Sequence, residues 1–117
     1  MTPAPVKPTV GLSALEALDI RAGTIERVED VPKSTNLVRL VVSFGDHKRT
    51  VLAGMKQERA NPAEIQGRQA LFVVNLAPRK IMGEASEAMV FDLGSPDGIT
   101  PVLVVPERPV PDGTRAG

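Results

Sequence analysis

The sequence predicts a mainly β domain, a small barrel of five strands with a short helix between the third and fourth strands and a C-terminal extension. Three observations support this fold class. Five separate segments alternate apolar and polar residues or form short apolar runs. Glycine and proline, with 10 and 11 copies, punctuate these segments. Only two places in the chain carry residues typical of a helix start.

Length and composition indicate one small domain. A chain of 117 residues, 42% of them hydrophobic, can bury a real but small core. The chain has no cysteine, which excludes disulfides and cysteine metal sites. No segment approaches the roughly 18 apolar residues of a membrane span, and the N-terminus lacks the apolar core of a secretory signal. We therefore expect a cytoplasmic protein with no membrane partner.

Charge and aromatic content restrict how the chain can bind a polyanion. Fourteen basic residues balance fourteen acidic ones, so any such site must be a local patch rather than an overall basic surface. The only aromatic rings are Phe44, Phe72 and Phe91, each inside an apolar run. We expect all three in the core, which leaves few rings for stacking on unpaired bases.

The N-terminal part is predicted to contain a tail, a helical turn and a long strand. Residues 1–12 are proline-rich and lack periodicity, which is typical of a flexible tail, and the domain is placed at residues 13–117. Ser13 and Glu16 have the spacing of a capping box. Leu18 to Glu29 alternates as one long, bent first strand, and Gly23 within it favours a bulge or a tight bend.

The next segments predict a hairpin. Leu37 to Phe44 places apolar side chains on one face, and Lys48 to Ala53 returns as the third strand. The residues between them, Gly45-Asp46-His47, form a short glycine-containing turn. The single histidine, His47, has no neighbouring histidine or paired carboxylate and is predicted to be a solvated turn residue.

A short helix and the remaining strands complete the order. Asn61 as N-cap, Pro62 at the first helical position and Gly67 as terminator predict one to two helical turns. Strands are predicted at residues 68–75 and 87–93, and an extended segment at 99–105. Three strands, a helix and two strands is the order of an OB-fold, a Greek-key barrel whose first strand bends to serve both sheets. Another small barrel or a sandwich remains the alternative.

The segment after the fourth strand is the first candidate for function. Asn75 and Pro78 end that strand, so Arg79 and Lys80 are predicted to lie on a loop, and Gly83 allows a sharp turn after them. Two adjacent cations at the mouth of a sheet favour a site for an anion or a phosphate backbone. A solvated loop with chance charges is the alternative.

Two motifs in the chain resemble a known family. The segments Asp19-Ile20-Arg21-Ala22-Gly23-Thr24-Ile25 and Asn75-Leu76-Ala77-Pro78-Arg79-Lys80-Ile81-Met82-Gly83, the latter with Ser86-Glu87-Ala88-Met89, resemble the tRNA-binding domain found at the C-terminus of many methionyl-tRNA synthetases. Similar domains stand alone as tRNA-binding proteins and as the chaperone-like CsaA proteins. The closing segment from Arg108 to Thr114 is similar to the end of CsaA-type chains. The resemblance covers residues 14–114.

This resemblance implies an OB-fold homodimer that binds structured tRNA and is not an enzyme. For the CsaA branch it also implies a role in recognising unfolded or exported polypeptide. Family members often have glycine where this chain has Ala88. If that position needs a positive backbone angle or a close approach to ligand, alanine would impair it.

The candidate RNA-binding residues are ordered by how closely they combine charge with a loop position. Arg79 and Lys80 lead, because Arg can bind two phosphate oxygens and Lys adds a mobile charge. Ser86 is expected either to donate to a phosphate or to bond its own loop. Arg21 is expected either to contact RNA or to pair with Asp19. Asn75, Asn36, Lys33 and Arg39 complete the set, with plain surface positions as the alternative.

No catalytic constellation is found, and no cofactor or metal is expected. Met82 and Met89 are predicted to fill apolar gaps rather than contact a partner. Two function classes remain: a tRNA-binding module that acts alone or with an aminoacyl-tRNA synthetase, and a chaperone that binds unfolded polypeptide in an apolar dimer groove. RNA binding should weaken steeply with salt, whereas apolar peptide binding should not.

Overall fold

The computed structural model describes residues 2–117 and shows a mainly β fold built on one five-stranded antiparallel sheet. The strands are β1 (Ile20–Asp30), β2 (Val38–Ser43), β3 (Lys48–Ala53), β4 (Gln69–Val73), β5 (Arg79–Ile81), β6 (Glu84–Ser86), β7 (Met89–Val90), β8 (Asp92–Leu93) and β9 (Val102–Leu103). The helical elements are α1 (Leu12–Glu16) and two short 3₁₀ turns, Pro62–Ile65 and Ser95–Asp97. No helix within residues 2–117 has the length and apolarity needed to cross a bilayer.

The main sheet has the strand order β3-β2-β1-β4-β7. The first half of β1, up to Thr24, pairs with β4, and its second half pairs with β2. The sheet nearly closes because Glu87, just before β7, donates its backbone N–H to the Thr50 carbonyl of β3 at 2.9 Å. One bent strand serving two sets of partners, with a short helical turn between β3 and β4, confirms the predicted OB-type barrel.

The core lies inside this barrel and is entirely apolar. Its largest fully buried side chains are Phe72, Ile25, Leu40, Ile65, Val42 and Val51. The rings of Phe44 and Phe72 meet edge to face with centroids 5.7 Å apart. The prediction that all three aromatic residues are core residues is wrong for Phe91, which is 39% exposed because the chain leaves the barrel after β7.

Gly23 is needed for close packing rather than for a bulge. A Cβ atom there would lie 2.6 Å from Cγ1 of Val42 and 2.8 Å from Cε1 of Phe44. The bulge in β1 comes later, where the register with β2 shifts between Ile25 and Arg27. A bulge in the first strand is therefore present, but it lies after Gly23 rather than at it.

The two helix starts differ from their predicted caps. Helix α1 begins at Leu12 with Gly11 as N-cap and no side-chain cap, so Ser13 lies inside the helix instead of capping it. The second turn begins at Pro62, as predicted, but the Asn61 side chain makes no capping hydrogen bond. Both elements are single turns whose ends are held by backbone bonds, for example from Ala14 to Gly11 at 3.0 Å.

The C-terminal extension is part of the barrel. Gly113 and Ala116 donate to the carbonyls of Ala22 and Ile20 at 2.8 Å each, and Ala22 donates to Thr114 at 2.9 Å. The segment therefore covers the edge of β1 that β2 leaves free, which protects that edge from pairing with another chain.

The predicted fifth strand, residues 87–93, is broken into short pieces. Only β7 joins the main sheet, whereas β8 pairs with β9 in a separate two-stranded ribbon. Ahead of them the chain forms a second ribbon, β5–β6, which had been expected to be a loop. This ribbon carries most of the leading candidate residues.

Candidate functional site

The motif segment forms a β-hairpin that projects from the barrel. Strand β5 pairs with β6 in the register Arg79 to Ser86 and Lys80 to Ala85. Arg79 and Lys80 therefore lie on a strand, and the prediction of a loop is wrong. Both side chains are exposed, but neighbours on a strand point to opposite faces, so the two cations serve different sides of the hairpin.

The hairpin and the loop beside it hold three of the five cations that have neither an acidic partner nor a hydrogen bond to a backbone carbonyl within residues 2–117. Within residues 2–117, five basic side chains have no carboxylate within 4.0 Å and no hydrogen bond to a backbone carbonyl: Lys7, Lys33, Arg68, Arg79 and Lys80. Lys33 lies in the β1–β2 loop next to the tip of the hairpin, where it lines the same cavity as Met82. Three positive charges without an acidic partner thus lie on the β5–β6 hairpin and on the loop beside its turn, in a molecule whose net charge is zero.

Arg39 joins this hairpin to the barrel. Its guanidinium contacts the carboxylate of Glu84 on β6 and lies 3.4 Å from that of Glu29 on β1. Arg27 lies 3.2 Å from the other oxygen of Glu29, so two guanidinium groups balance the two carboxylates, which therefore add little net negative charge beside the free cations. Arg39 is therefore placed to support the hairpin rather than to present a free charge.

Ser86 ties the hairpin to β3. Its Oγ accepts the backbone N–H of Leu52 at 3.0 Å and donates to the Ala88 carbonyl at 3.1 Å. These two bonds hold the hairpin in place, which is one of the two roles expected for Ser86.

The glycine that family members often have at position 88 is not required by the backbone here. Ala88 is buried, and Met82 is the one non-glycine residue with positive φ within residues 2–117. Position 88 therefore needs no positive backbone angle here, and alanine fits.

Arg49 on β3 holds both ends of the hairpin segment. One guanidinium nitrogen donates to the carbonyls of Val74 and Glu87, at 2.6 and 3.0 Å. Its Nε donates to Nε2 of His47 at 3.1 Å, and Nδ1 of His47 lies 2.6 Å from a carboxylate oxygen of Asp46. His47 is therefore not a plain solvated turn residue, because it orients the arginine that closes the loop.

An apolar cavity of about 220 Å³ lies between the hairpin and the barrel. Its apolar walls are Leu37, Leu52, Leu76, Ala77, Ile81, Ala88 and Met89, and its polar edge is Asn36, Arg79 and Ser86. The cavity brings together three of the predicted site residues. It also places the Arg79 guanidinium, which has no acidic partner, beside an apolar surface.

The methionines of the motif are more exposed than predicted. Met82 and Met89 are 54% and 46% exposed, so the prediction that they fill apolar gaps is wrong. Met82 occupies the hairpin turn, and Met89 lies at the mouth of the cavity. Exposed methionine is a flexible, polarisable contact surface.

Arg21 and Asn75 lie in a separate groove of about 290 Å³, together with Asp19, Asp46, His47 and Arg49. The Arg21 guanidinium donates to both carboxylate oxygens of Asp19, at 2.9 and 3.0 Å. Pairing with Asp19 is one of the two roles expected for Arg21. The Asn75 amide bonds the backbone N–H of Asp19 and the carbonyl of Ala17. Both side chains are therefore engaged in holding the start of β1.

The charges in this groove also indicate that Arg21 is paired rather than free. The Arg21 hydrogen bond lowers the pKa of Asp19 below its ordinary value; partial burial opposes the shift, and Arg115 adds to it. The His47 hydrogen bond similarly lowers the pKa of Asp46. These carboxylates stay ionised at neutral pH and offset much of the positive charge in the groove. No cluster of three or more potential metal ligands occurs in residues 2–117.

A family model described as "Putative tRNA binding domain" matches residues 20–115, which include the whole barrel and the hairpin. The chain belongs to this family. The resemblance read from the two sequence motifs is thereby confirmed.

Relatives of this tRNA-binding domain include two methionine–tRNA ligases, from Methanospirillum hungatei and Parabacteroides distasonis. Each is 36% identical over 111 residues, which is 95% of this chain but only 16% of the ligase. Among solved structures, a MetRS-related protein from Pyrococcus horikoshii has a TM-score of 0.85 at 27% identity, covering 95% of this chain and 100% of that one. The chaperone CsaA from Bacillus anthracis has a TM-score of 0.80 at 29% identity, covering 94% and 100%.

Sequence reasoning missed Arg49 and the role of the hairpin turn. Arg49 reads as an ordinary charged position on a strand, and nothing local shows that it faces carbonyls at positions 74 and 87. A sharp turn was predicted at Gly83, but the two-residue hairpin turn formed by Met82 and Gly83 was not, because methionine is not a residue that such a turn favours.

Proposed function

We propose that this domain binds structured RNA of the tRNA class through the β5–β6 hairpin and the β1–β2 loop. The observation that carries the proposal is the position of Lys33, Arg79 and Lys80, free of acidic partners, on the hairpin and on the loop beside its turn in a neutral protein. A polyanion attracts such a patch, because each phosphate contact releases bound counterions.

The hairpin is well suited to recognise RNA by shape. Arg39, Arg49 and Ser86 hold it against the barrel, so the cations at its surface keep a set spacing. Because Arg79 and Lys80 project from opposite faces, the hairpin edge would lie along the RNA backbone with one phosphate group on each side. Phosphate contacts of this kind position a protein on folded RNA without reading base sequence.

The proposed activity is binding without catalysis. The one histidine is engaged by Asp46 and Arg49 at both ring nitrogens, and the hairpin presents charges rather than an acid–base pair. Since the curated relatives are methionine–tRNA ligases, the partner we propose besides tRNA is an aminoacyl-tRNA synthetase, whose tRNA affinity this domain would increase.

We further propose that the domain acts as a homodimer. Large apolar side chains of the α1 region are exposed, and so are several along the C-terminal ribbon. They are Val10, Leu12, Leu15, Leu18, Leu93, Ile99, Val102 and Val105. Exposed apolar area of this extent favours a protein interface, and closed two-fold symmetry is the commonest arrangement.

A second candidate function is supported by the apolar cavity beside Arg79. Its leucine, isoleucine and methionine walls fit an apolar peptide side chain, and a solved chaperone CsaA has the same fold. This alternative is a chaperone that binds unfolded polypeptide.

Titration with total tRNA at two salt concentrations tests the proposal and separates the two candidates. We expect log affinity for tRNA to fall with log salt by about 0.7 to 0.9 units for each phosphate contacted. A parallel titration uses reduced, carboxymethylated lactalbumin as an unfolded polypeptide. Binding to that probe with no salt-dependent binding to tRNA would refute the RNA proposal and favour the chaperone.

A further inference from the structure

The turn of the β5–β6 hairpin is built on an unfavourable residue. Met82 has φ of 52° and Gly83 has φ of 80°, the left-handed pair of a two-residue hairpin turn. Such turns favour Asn-Gly or Asp-Gly, because a side chain without a local hydrogen bond is strained at positive φ. Gly83 satisfies the rule, and Met82 does not.

Burial does not compensate for this strain. The Met82 side chain is 54% exposed, and the space around Gly83 is open to 4 Å. Asparagine at position 82 would relieve the backbone and would remove only a side chain that is 54% exposed. A strained, exposed apolar side chain at the tip of a binding hairpin indicates a role in contacting a ligand.

Met82 forms one wall of a cavity of about 270 Å³, whose other residues are Val31, Pro32, Lys33 and Glu84. Val31 and Pro32 contribute apolar groups to the lining, and Lys33, which has no acidic partner within residues 2–117, lines the same cavity. The Glu84 carboxylate is engaged by Arg39, which limits its repulsion of an approaching anion. An apolar slot beside a free cation matches a nucleotide, which has a flat base joined to a phosphate.

We propose that this slot binds one unstacked nucleotide of the RNA, with its base or ribose against Met82 and Pro32 and its phosphate on Lys33. The thioether is polarisable and contacts aromatic rings favourably, so it serves as the stacking surface that this aromatic-poor chain otherwise lacks. The RNA element recognised is a loop or a single-stranded end, since bases inside a helix are not free to enter. This inference rests on the RNA-binding function proposed above.

The test is Met82→Asn, with Met82→Leu as the matched control. Asparagine relieves the turn and removes the apolar contact, so we expect its Tm to rise by about 2 to 5 °C while tRNA affinity falls roughly 5- to 10-fold. The salt dependence of binding should not change, because no charge is lost. Met82→Leu keeps an apolar wall but loses the thioether, so its affinity for tRNA should lie between those of the parent domain and Met82→Asn.

A blunt RNA duplex is the second probe, because it has no unstacked nucleotide in its interior. Met82→Asn should bind this duplex as tightly as the parent domain. The slot proposal would be overturned if Met82→Asn and the parent domain bound tRNA with equal affinity. It would also be overturned if the substitution reduced the affinity for the duplex and for tRNA by the same factor. If the proposed RNA-binding function were wrong, the parent domain itself would show no salt-dependent binding to tRNA.

Discussion

The guanidinium of Arg49 donates to the carbonyl oxygen of Val74 at 2.6 Å, across 25 residues of chain. The same nitrogen reaches the Glu87 carbonyl at 3.0 Å, so one side chain closes the segment that contains the β5–β6 hairpin. A buried or half-buried carbonyl left without its donor costs more than the bond itself contributes. The position of the hairpin therefore depends on a residue outside the motif.

Replacing Arg49 should loosen the hairpin. Arg49→Ala removes the donor for both carbonyls, and we expect the free energy of unfolding in urea to fall by about 1 to 3 kcal/mol. Affinity for tRNA should fall as well, because the cations lose their set spacing. Lys48→Ala is the control, since Lys48 is exposed and pairs only with Glu26 at 2.9 Å. Unfolding of Arg49→Ala at the parent urea midpoint would contradict this role.

Removing the two leading cations tests the proposed contact with phosphate. Arg79→Ala with Lys80→Ala should weaken tRNA binding by roughly 1 to 3 kcal/mol and leave folding nearly unchanged. The dependence of log affinity on log salt should become shallower by about one to two units.

The matched control for this pair is Lys7→Ala with Arg68→Ala. These two cations also lack acidic partners, and their loss changes net charge equally. Lys7 belongs to the N-terminal segment before α1, and Arg68 lines a cavity with residues 105–110 that contains no hairpin residue. If both double variants lose the same affinity, the effect is one of total charge and the hairpin is not the site.

Gly23→Ala should destabilise the barrel. Its Cβ would lie 2.6 Å from Cγ1 of Val42, inside a fully buried part of the core. Overpacking of this kind costs about 1 to 3 kcal/mol, measurable as a lower urea midpoint. Gly11→Ala is the control because the nearest atom there, Oγ of Ser13, is 3.7 Å away. A Gly23→Ala variant as stable as the parent would show that the core can shift to accept a methyl group.

Asp19 should make stability depend on acid pH. Its pKa is lowered chiefly by Arg21, so the folded state favours the ionised carboxylate. The resulting stabilisation is fully present above the ordinary aspartate pKa of about 3.9 and is lost as pH falls through the lower, folded-state value. In Asp19→Asn the difference in stability from the parent should therefore shrink below about pH 3.9. A constant difference from pH 7 to pH 2.5 would argue against the linkage.

The homodimer is checked by light scattering. At micromolar concentration we expect a mass about twice the 12.4 kDa of one chain. Leu15→Glu places a charge on the exposed apolar face of α1, where Leu15 is 60% exposed, and should shift the mass toward one chain. A single-chain mass for the parent domain would refute the dimer.

Local pattern was enough to predict the central strands. The predicted bounds of β3 agree with the structure, and those of β2 differ by one residue at each end, because alternation along a strand directly reports which side chains face the core. The OB-type order followed from these strands and the short turn at Pro62. Elements of two or three residues, such as β7 and β8, were merged in the prediction because they are too short to show a period.

The sequence by itself determined the order of the elements, the apolar faces that form the core, and the motif that carries family membership. Only the tertiary structure decided which basic residues remain free. Arg39 and Arg79 both read as strand or loop cations in the sequence, but Arg39 meets the carboxylates of Glu29 and Glu84, which the fold brings close, and Arg79 meets none within residues 2–117. Arg21 differs from both, because its partner Asp19 is only two residues away and the pair was expected from the sequence. Ion pairing depends on distances across strands, and those distances exist only after the barrel has closed.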